Sequence, residues 1–329
     1  MELKIIKILV AFLVILALLI AIPVAMNHFV WHRSLKAGIF ELELRLSGRD
    51  DAKGDTEAWV AEKVAENSGQ VVIPRLFCTT DIDEYEGMYY VTLNAQEYPN
   101  RRIVYFPGGT YIDLPSDSHW YFAAQLAYNT NAEVIVPLYP RLPDNTAEDA
   151  YPLLISFYED VVLAKDCVKL LFMGDSAGGG MALALAETLR GAEYSGPDRL
   201  ILISPWVDVT MSNPELSEYE KKDPKLDRET LKAAGELWAG DGLLTTTSML
   251  VSPLYCENLN GLGEICLYAG TRELLYPDIV RLYEKLEDTD TEHSLYIGEG
   301  MNHIWPIYYS YGLEEAWAAV EDIEENILK

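Results

Sequence analysis

Gly174-Asp175-Ser176-Ala177-Gly178 sets a serine between two glycines, after the apolar run 168–173 and before residues of helical period. A Gly-x-Ser-x-Gly turn between a buried strand and a helix lifts a serine hydroxyl clear of a sheet as a nucleophile. The glycines leave room for the turn, and the helix N-terminus favours negative charge developing beside Ser176. A phosphate-binding loop is the other use of glycines at such a junction. The spacing is not Gly-x-Gly-x-x-Gly, and no Gly-Lys-Ser or Gly-Lys-Thr follows, which argues against that use.

A nucleophilic serine needs a base, and the chain has five histidines. In this motif class the acid and then the histidine follow the serine. His28, His32 and His119 precede it. His293 comes just before the last apolar strand-like run, at the wrong end of a parallel sheet, because sites form beyond the carboxyl ends of the strands. His303, in Gly300-Met301-Asn302-His303, follows that run and is the candidate base. The acid should follow the preceding strand, 264–269. Glu273 is the first choice. Asp278 reads as the N-cap of the next helix, and Asp208 follows an earlier strand. A carboxylate here fixes the imidazole tautomer and stabilises the imidazolium. An oxyanion hole needs backbone N–H donors. Ala177 should supply one, and Gly108 and Gly109, a pair directly after a strand, should supply others.

These residues need a scaffold, and the chain can build one. At 329 residues it has length for one or two domains, and half of the residues are hydrophobic, which rules out general disorder. A net charge of −27 argues against nucleic acid as a partner and against a polybasic hold on anionic lipid. Cys78, Cys167, Cys256 and Cys266 contain no Cys-x-x-Cys pair, so no zinc or redox motif is suggested. A lone disulfide between Cys256 and Cys266 stays open.

Apolar, β-branched runs at 71–78, 87–93, 102–106, 132–137, 168–173, 200–204, 264–269 and 294–297 read as strands. Residues 118–128, 146–164, 179–190 and 278–287 read as helices between them, and 56–66 as a short capped helix. Alternating strands and helices give an α/β fold, with a mostly parallel central sheet and helices on both faces. The first two strands should form an antiparallel hairpin at one edge. Residues 209–244 break the alternation and read as an inserted helical cap, so cap elements are expected at 31–68 and 209–250 of a single domain covering 31–329.

Residues 8–26 carry no charge. At ~1.5 Å per residue they make a helix of about 28 Å, close to the ~30 Å hydrocarbon core of a bilayer. Neither Ala21 nor Ala25 completes an Ala-x-Ala cleavage site. Residues 1–30 are therefore expected to be a retained signal anchor, a transmembrane helix, rather than a cleaved signal or a buried helix. The basic residues flanking it are nearly balanced, and a short tail before a long domain favours a catalytic domain outside the cytoplasm.

Gly174-Asp175-Ser176-Ala177-Gly178-Gly179 resembles the nucleophile motif of the hormone-sensitive-lipase-like esterases, a family of the α/β-hydrolase fold. Tyr139-Pro140-Arg141-Leu142-Pro143-Asp144 is similar to that family's Tyr-x-Leu-Ala-Pro-Glu segment. Ser204-Pro205-Trp206-Val207-Asp208, Asp223-Pro224 and Ser252-Pro253-Leu254 also match, so the resemblance covers about 70–328. It implies hydrolysis of small-molecule carboxylic esters without metal or organic cofactor, with Ser176, Glu273 and His303 as triad and Gly108, Gly109 and Ala177 as oxyanion donors. Two positions depart from the family. Pro107 and Thr110 replace the first and last residues of its usual His-Gly-Gly-Gly, and its acid is commonly Asp. Tyr111, Trp120, Trp206, Trp238 and Trp305 are candidates for lining an acyl or alcohol pocket and equally for plain core. The rival readings are a non-catalytic receptor on the same fold and an amidase or deacetylase with the same triad.

Overall fold

A computed structural model describes residues 7, 24–67, 71–192 and 194–329. Eight strands form one sheet: β1 (Thr80–Tyr85), β2 (Met88–Leu93), β3 (Arg101–Phe106), β4 (Glu133–Pro137), β5 (Lys169–Asp175), β6 (Arg199–Ile203), β7 (Glu264–Gly270) and β8 (His293–Gly298). Their order is β1-β2-β4-β3-β5-β6-β7-β8. β1 and β2 are an antiparallel hairpin, β2 is antiparallel to β4, and every other pairing is parallel.

The continuous apolar runs are explained by two cores. Val104 and Phe106, Phe172, Leu200 and Leu202, and Leu267 and Ala269 face one core, whereas Ile103 and Tyr105, Leu171 and Met173, Ile201 and Ile203, and Tyr268 face the other. Alternate side chains of a strand point to opposite faces, so a strand covered on both sides reads as apolar throughout. The first core packs α4 (Ala147–Phe157), α5 (Ser176–Gly191) and α8 (Tyr276–Glu287). The second packs α3 (Asp117–Thr130) and α9 (Glu314–Leu328).

The expected first strand is displaced. Residues 71–78 are irregular, and the edge strand is the more polar segment that follows, Thr80–Tyr85. Pro74 lacks the N–H that a ladder needs. Asp81, Asp83 and Glu84 leave β1 exposed and charged, which suits an edge that must not pair further.

The segments expected as cap are joined to each other. α1 (Leu35–Leu46) and α2 (Thr56–Glu66) come from the first, α6 (Leu216–Tyr219) and α7 (Arg228–Ala239) from the second. Asp50 N–H donates to the Lys225 carbonyl at 3.0 Å, and Ala52 N–H to Thr230 Oγ1 at 2.9 Å. Of the expected anchor, 1–30, residues 1–6 and 8–23 lie outside the described residues. Among the described residues, no helix is long and apolar enough to cross a membrane. The cysteines are free, so Cys256 and Cys266 are not bridged: Cys266 lies inside β7, and the Cys256 thiol donates to the Asn258 carbonyl.

Candidate active site

β5 ends at Asp175 and α5 begins at Ser176 with no intervening residue. Ser176 has φ 52°, a left-handed conformation that a residue with a Cβ occupies only under strain. The surrounding backbone over-determines it. Ser176 carbonyl accepts from Trp206 N–H at 2.8 Å. A Cβ on Gly174 would overlap the Gly178 carbonyl, one on Gly178 the Phe106 carbonyl, and one on Gly180 the Trp206 carbonyl. These glycines are required by close approach, and the sharp turn depends on them.

The loops after β7 and β8 bring the acid and base to this turn. His303 Nε2 lies 2.9 Å from Ser176 Oγ, and His303 Nδ1 lies 2.7 Å from Glu273 Oε2. Gly270 N–H donates to the other Glu273 oxygen at 2.8 Å. With Nδ1 donating to a carboxylate, Nε2 is left to accept from the serine hydroxyl. Glu273 is fully buried and His303 nearly so. Burial pushes the Glu273 carboxyl above its ordinary range, against the opposing pull of its bond to His303. For His303, burial acts to lower the pKa, but the bond to Glu273 and its charge outweigh burial and raise it.

The other acidic candidates are engaged elsewhere. Asp208 accepts from Thr210 N–H at 2.9 Å and from Tyr255 hydroxyl at 3.2 Å. Asp278 is not an N-cap: Leu275 occupies the cap, and Asp278 sits in the first turn of α8, accepting from Asn213 and Arg281, each at 2.9 Å. A helix that starts with Tyr276-Pro277 moves the boundary two residues ahead of the one expected from sequence, because proline is pre-organised for the first turn. His293 is the first residue of β8, as its position before the strand suggested, with Nδ1 at 2.8 Å from the Thr291 carbonyl.

The glycine pair is a partial correction. Gly108 N–H donates to Asp175 Oδ2 at 3.1 Å and therefore does not face an incoming ligand. Among the described residues, no atom accepts from the N–H of Gly109 or Thr110. The chain turns sharply there, with Gly109 at φ 131°, Thr110 at 55° and Tyr111 at 61°. Ala177 is the second residue of α5, where an N–H has no partner within its helix.

Sequence reasoning missed how this loop is held. Asp175 is completely buried and also accepts from Tyr105 hydroxyl at 2.6 Å, with His119 Nε2 at 3.2 Å. His119 Nδ1 accepts from Ser116 N–H at 3.1 Å, so Nε2 carries the proton and donates to Asp175. Burial acts to raise the Asp175 pKa, but His119, Tyr105 and the Gly108 N–H outweigh it and hold the carboxyl below its ordinary range. From the other side, Tyr139 hydroxyl donates to the Pro107 carbonyl at 2.7 Å, and Leu142 N–H to the Tyr111 carbonyl at 2.9 Å. Pro107 stands where the resembling family usually has His, and in this chain these contacts hold the loop from both sides. The signal was a polar residue, Asp175, at the end of a strand with two buried faces.

The aromatic candidates are core. Tyr111 stacks on Trp238 with ring centroids 4.2 Å apart and on Trp206 at 5.6 Å. Trp120 and Trp305 belong to the core on the opposite face of the sheet. All five are buried to 1% exposure or less, so none presents a free wall to a ligand.

A family model described as the alpha/beta hydrolase fold matches residues 103–307. The chain is 28% identical over 236 residues to a triacylglycerol lipase of Mycobacterium tuberculosis, covering 71% of this chain and 49% of the lipase. It is 28% identical over 234 residues to an esterase of Acinetobacter venetianus, covering 71% of this chain and 76% of the esterase. The matched region thus spans about half of the mycobacterial lipase. A putative esterase from Staphylococcus aureus superposes with a TM-score of 0.78 at 23% identity, over 89% of this chain and 99% of that one. With that match across more than half of its length, and a serine elbow at the head of a mostly parallel sheet, the chain belongs to the alpha/beta hydrolase fold family.

Proposed function

We propose that this protein is a serine carboxylesterase, on the observation that Ser176, His303 and Glu273 form one hydrogen-bonded chain at a strained elbow. Ser176 Oγ attacks the ester carbonyl carbon while His303 Nε2 takes its proton. Glu273 holds the Nδ1–H and stabilises the imidazolium. The tetrahedral intermediate collapses, the alcohol leaves with the proton from His303, and an acyl-enzyme remains. Water then attacks the acyl carbon with His303 as base and releases the acid. The N–H groups of Gly109, Thr110 and Ala177 are the donors we assign to the oxyanion, each worth about 10²–10³ in kcat in comparable holes. The relatives named esterase and lipase support ester over amide as substrate. Segments 31–68 and 209–250 are the cap over the site.

The uncharged run 8–26 is, in this reading, a retained anchor with the catalytic domain outside the cytoplasm. Its length and the lack of an Ala-x-Ala site support this. So does the exposed apolar row that follows it, Phe29, Val30, Leu35, Ile39, Leu42 and Leu46. Retention of the full chain in membranes through carbonate extraction is the expected result; a mature chain starting near residue 26 would refute it. The test of function is turnover of a p-nitrophenyl acyl series and labelling by a fluorophosphonate. Both should be lost in Ser176→Ala. A folded wild-type protein that neither turns over nor labels would be a receptor instead.

A further inference from the structure

Outside the triad, a buried charge cluster surrounds Glu41 on α1. Arg272 donates to it through both Nε and Nη2, at 3.0 and 2.8 Å. Arg33 pairs with it at 2.5 Å, and Arg45 at 2.6 Å. The Glu41 side chain is 6% exposed and that of Arg33 2%. The Trp31 ring packs against two of these guanidinium groups, its centroid 4.9 Å from Arg33 and 4.9 Å from Arg272. Three arginines on one buried carboxylate is more than is needed to tie one helix to a domain.

The positions of the partners give the cluster its meaning. Arg272 is the residue before Glu273, and its N–H donates to the Met301 carbonyl at 2.9 Å. Arg33 Nη1 donates to the Gly300 carbonyl at 2.7 Å, three residues before His303. Gly300 N–H donates to Thr271 Oγ1 at 2.8 Å. The Trp31 carbonyl packs where a Cβ on Gly300 would lie. The acid loop and the base loop are therefore tied to each other, and both are tied to the segment 27–41, which directly follows the uncharged run.

We propose that Arg272 and Arg33 are positioning residues for the acid and the base, and that segment 27–41 clamps the two loops so that Glu273 stays in register with His303. This inference rests on the triad assigned above. Bidentate guanidinium–carboxylate pairs fix direction as well as distance, which a loop alone does not. A catalytic group displaced by about 1 Å costs on the order of 10²-fold in rate. Removing the segment that follows the uncharged run therefore disables the site through the two loops that it holds.

The test uses the full chain in detergent, with Arg272→Met, Arg272→Lys and Trp31→Leu beside wild type. Rates are divided by the number of sites that a fluorophosphonate titrates, so unfolded protein does not count. Arg272→Met should lose about 10- to 100-fold in kcat with KM within about 2-fold. Arg272→Lys keeps the charge and should recover part of the loss. Trp31→Leu spares every ion pair, serves as the second variant where Arg272→Met does not fold, and should show the same pattern more weakly. The histidine imidazoles are titrated by NMR in the same samples. Glu273, Asp223 and Asp175 are the charges that act on His303. Loss of register with Glu273 should lower the His303 pKa by a measurable step. Variants that fold with unchanged kcat and an unchanged His303 titration would overturn the clamp. A wild type that turns over no ester would instead count against the esterase reading, while the His303 titration still judges the clamp.

Discussion

Gly108 and Asp175 are joined by a hydrogen bond of 3.1 Å that fastens the loop after β3 to the end of β5. The same carboxylate receives Tyr105 and His119. One buried anion thus sets the height of the glycine loop above the nucleophile.

Asp175→Asn should expose that role. The amide keeps one accepting oxygen and puts an NH2 group against donors. Hydrogen bonds to a charged group contribute about 1.5–3 kcal/mol each, so urea unfolding should show a loss of about 2 kcal/mol. The kcat should fall by about tenfold beyond what unfolding explains, since loop and nucleophile move apart. Unchanged kcat in a destabilised variant would make Asp175 purely structural.

Glu273→Gln separates charge from shape. His303 must be neutral to take the serine proton, and Glu273 holds its pKa above the ordinary value of about 6.5. Activity is therefore full above that raised value and is lost as pH falls through it. Removing the carboxylate leaves burial, which lowers the pKa, so the acid limb of kcat/KM should move to lower pH. The kcat should fall by about 10²–10⁴. An acid limb that stays in place would mean that another charge governs His303.

Asp278→Asn and Asp208→Asn should keep most of the rate. Asp278 holds Asn213 and Arg281, and Asp208 holds Thr210 and Tyr255, and neither is bonded to His303. Each is expected to lose about 1–2 kcal/mol of stability in a urea titration. A large loss of kcat in Asp278→Asn, with Glu273→Gln still active, would exchange their roles.

Tyr139→Phe deletes the hydroxyl that braces the Pro107 carbonyl and leaves the ring in place. A net hydrogen bond contributes about 1 kcal/mol, and kcat should drop severalfold as the loop loosens. Pro107→His should matter less, because proline has no N–H to offer the oxyanion. Equal effects from the two changes would place the hole elsewhere.

The hydrogen-bonded set Ser176, His303 and Glu273 was legible because its order is sequential: serine at an elbow, acid after the next-to-last strand, histidine after the last. Seven of the eight strands were legible as apolar runs, the central five because the sheet is covered on both faces there. The edge strand was not, since Asp81, Asp83 and Glu84 carry no apolar pattern and the neighbouring 71–78 does. The roles of Gly108 and Asp278 were hidden for a shared reason. A backbone N–H or a short carboxylate has several partners within reach, and only three-dimensional placement selects between Asp175 and a substrate, or between a helix cap and Arg281. The stacked Tyr111, Trp206 and Trp238 likewise look the same in sequence whether they line a pocket or fill a core. The C-terminal helix α9 follows ordinary helical spacing at Ala316, Ala319, Val320, Ile323 and Ile327 and is legible from that period alone.

The glycines that press against the Gly178, Phe106 and Trp206 carbonyls have a consequence for how this chain diversifies. Any side chain at 174, 178 or 180 meets main chain, which has no rotamer to turn aside. The floor beneath Ser176 is therefore closed to variation, and under the function proposed above substrate range is tuned from the other side, through the proposed cap segments at 31–68 and 209–250. Random libraries should recover changes of acyl preference there, and inactive or unfolded clones from the floor.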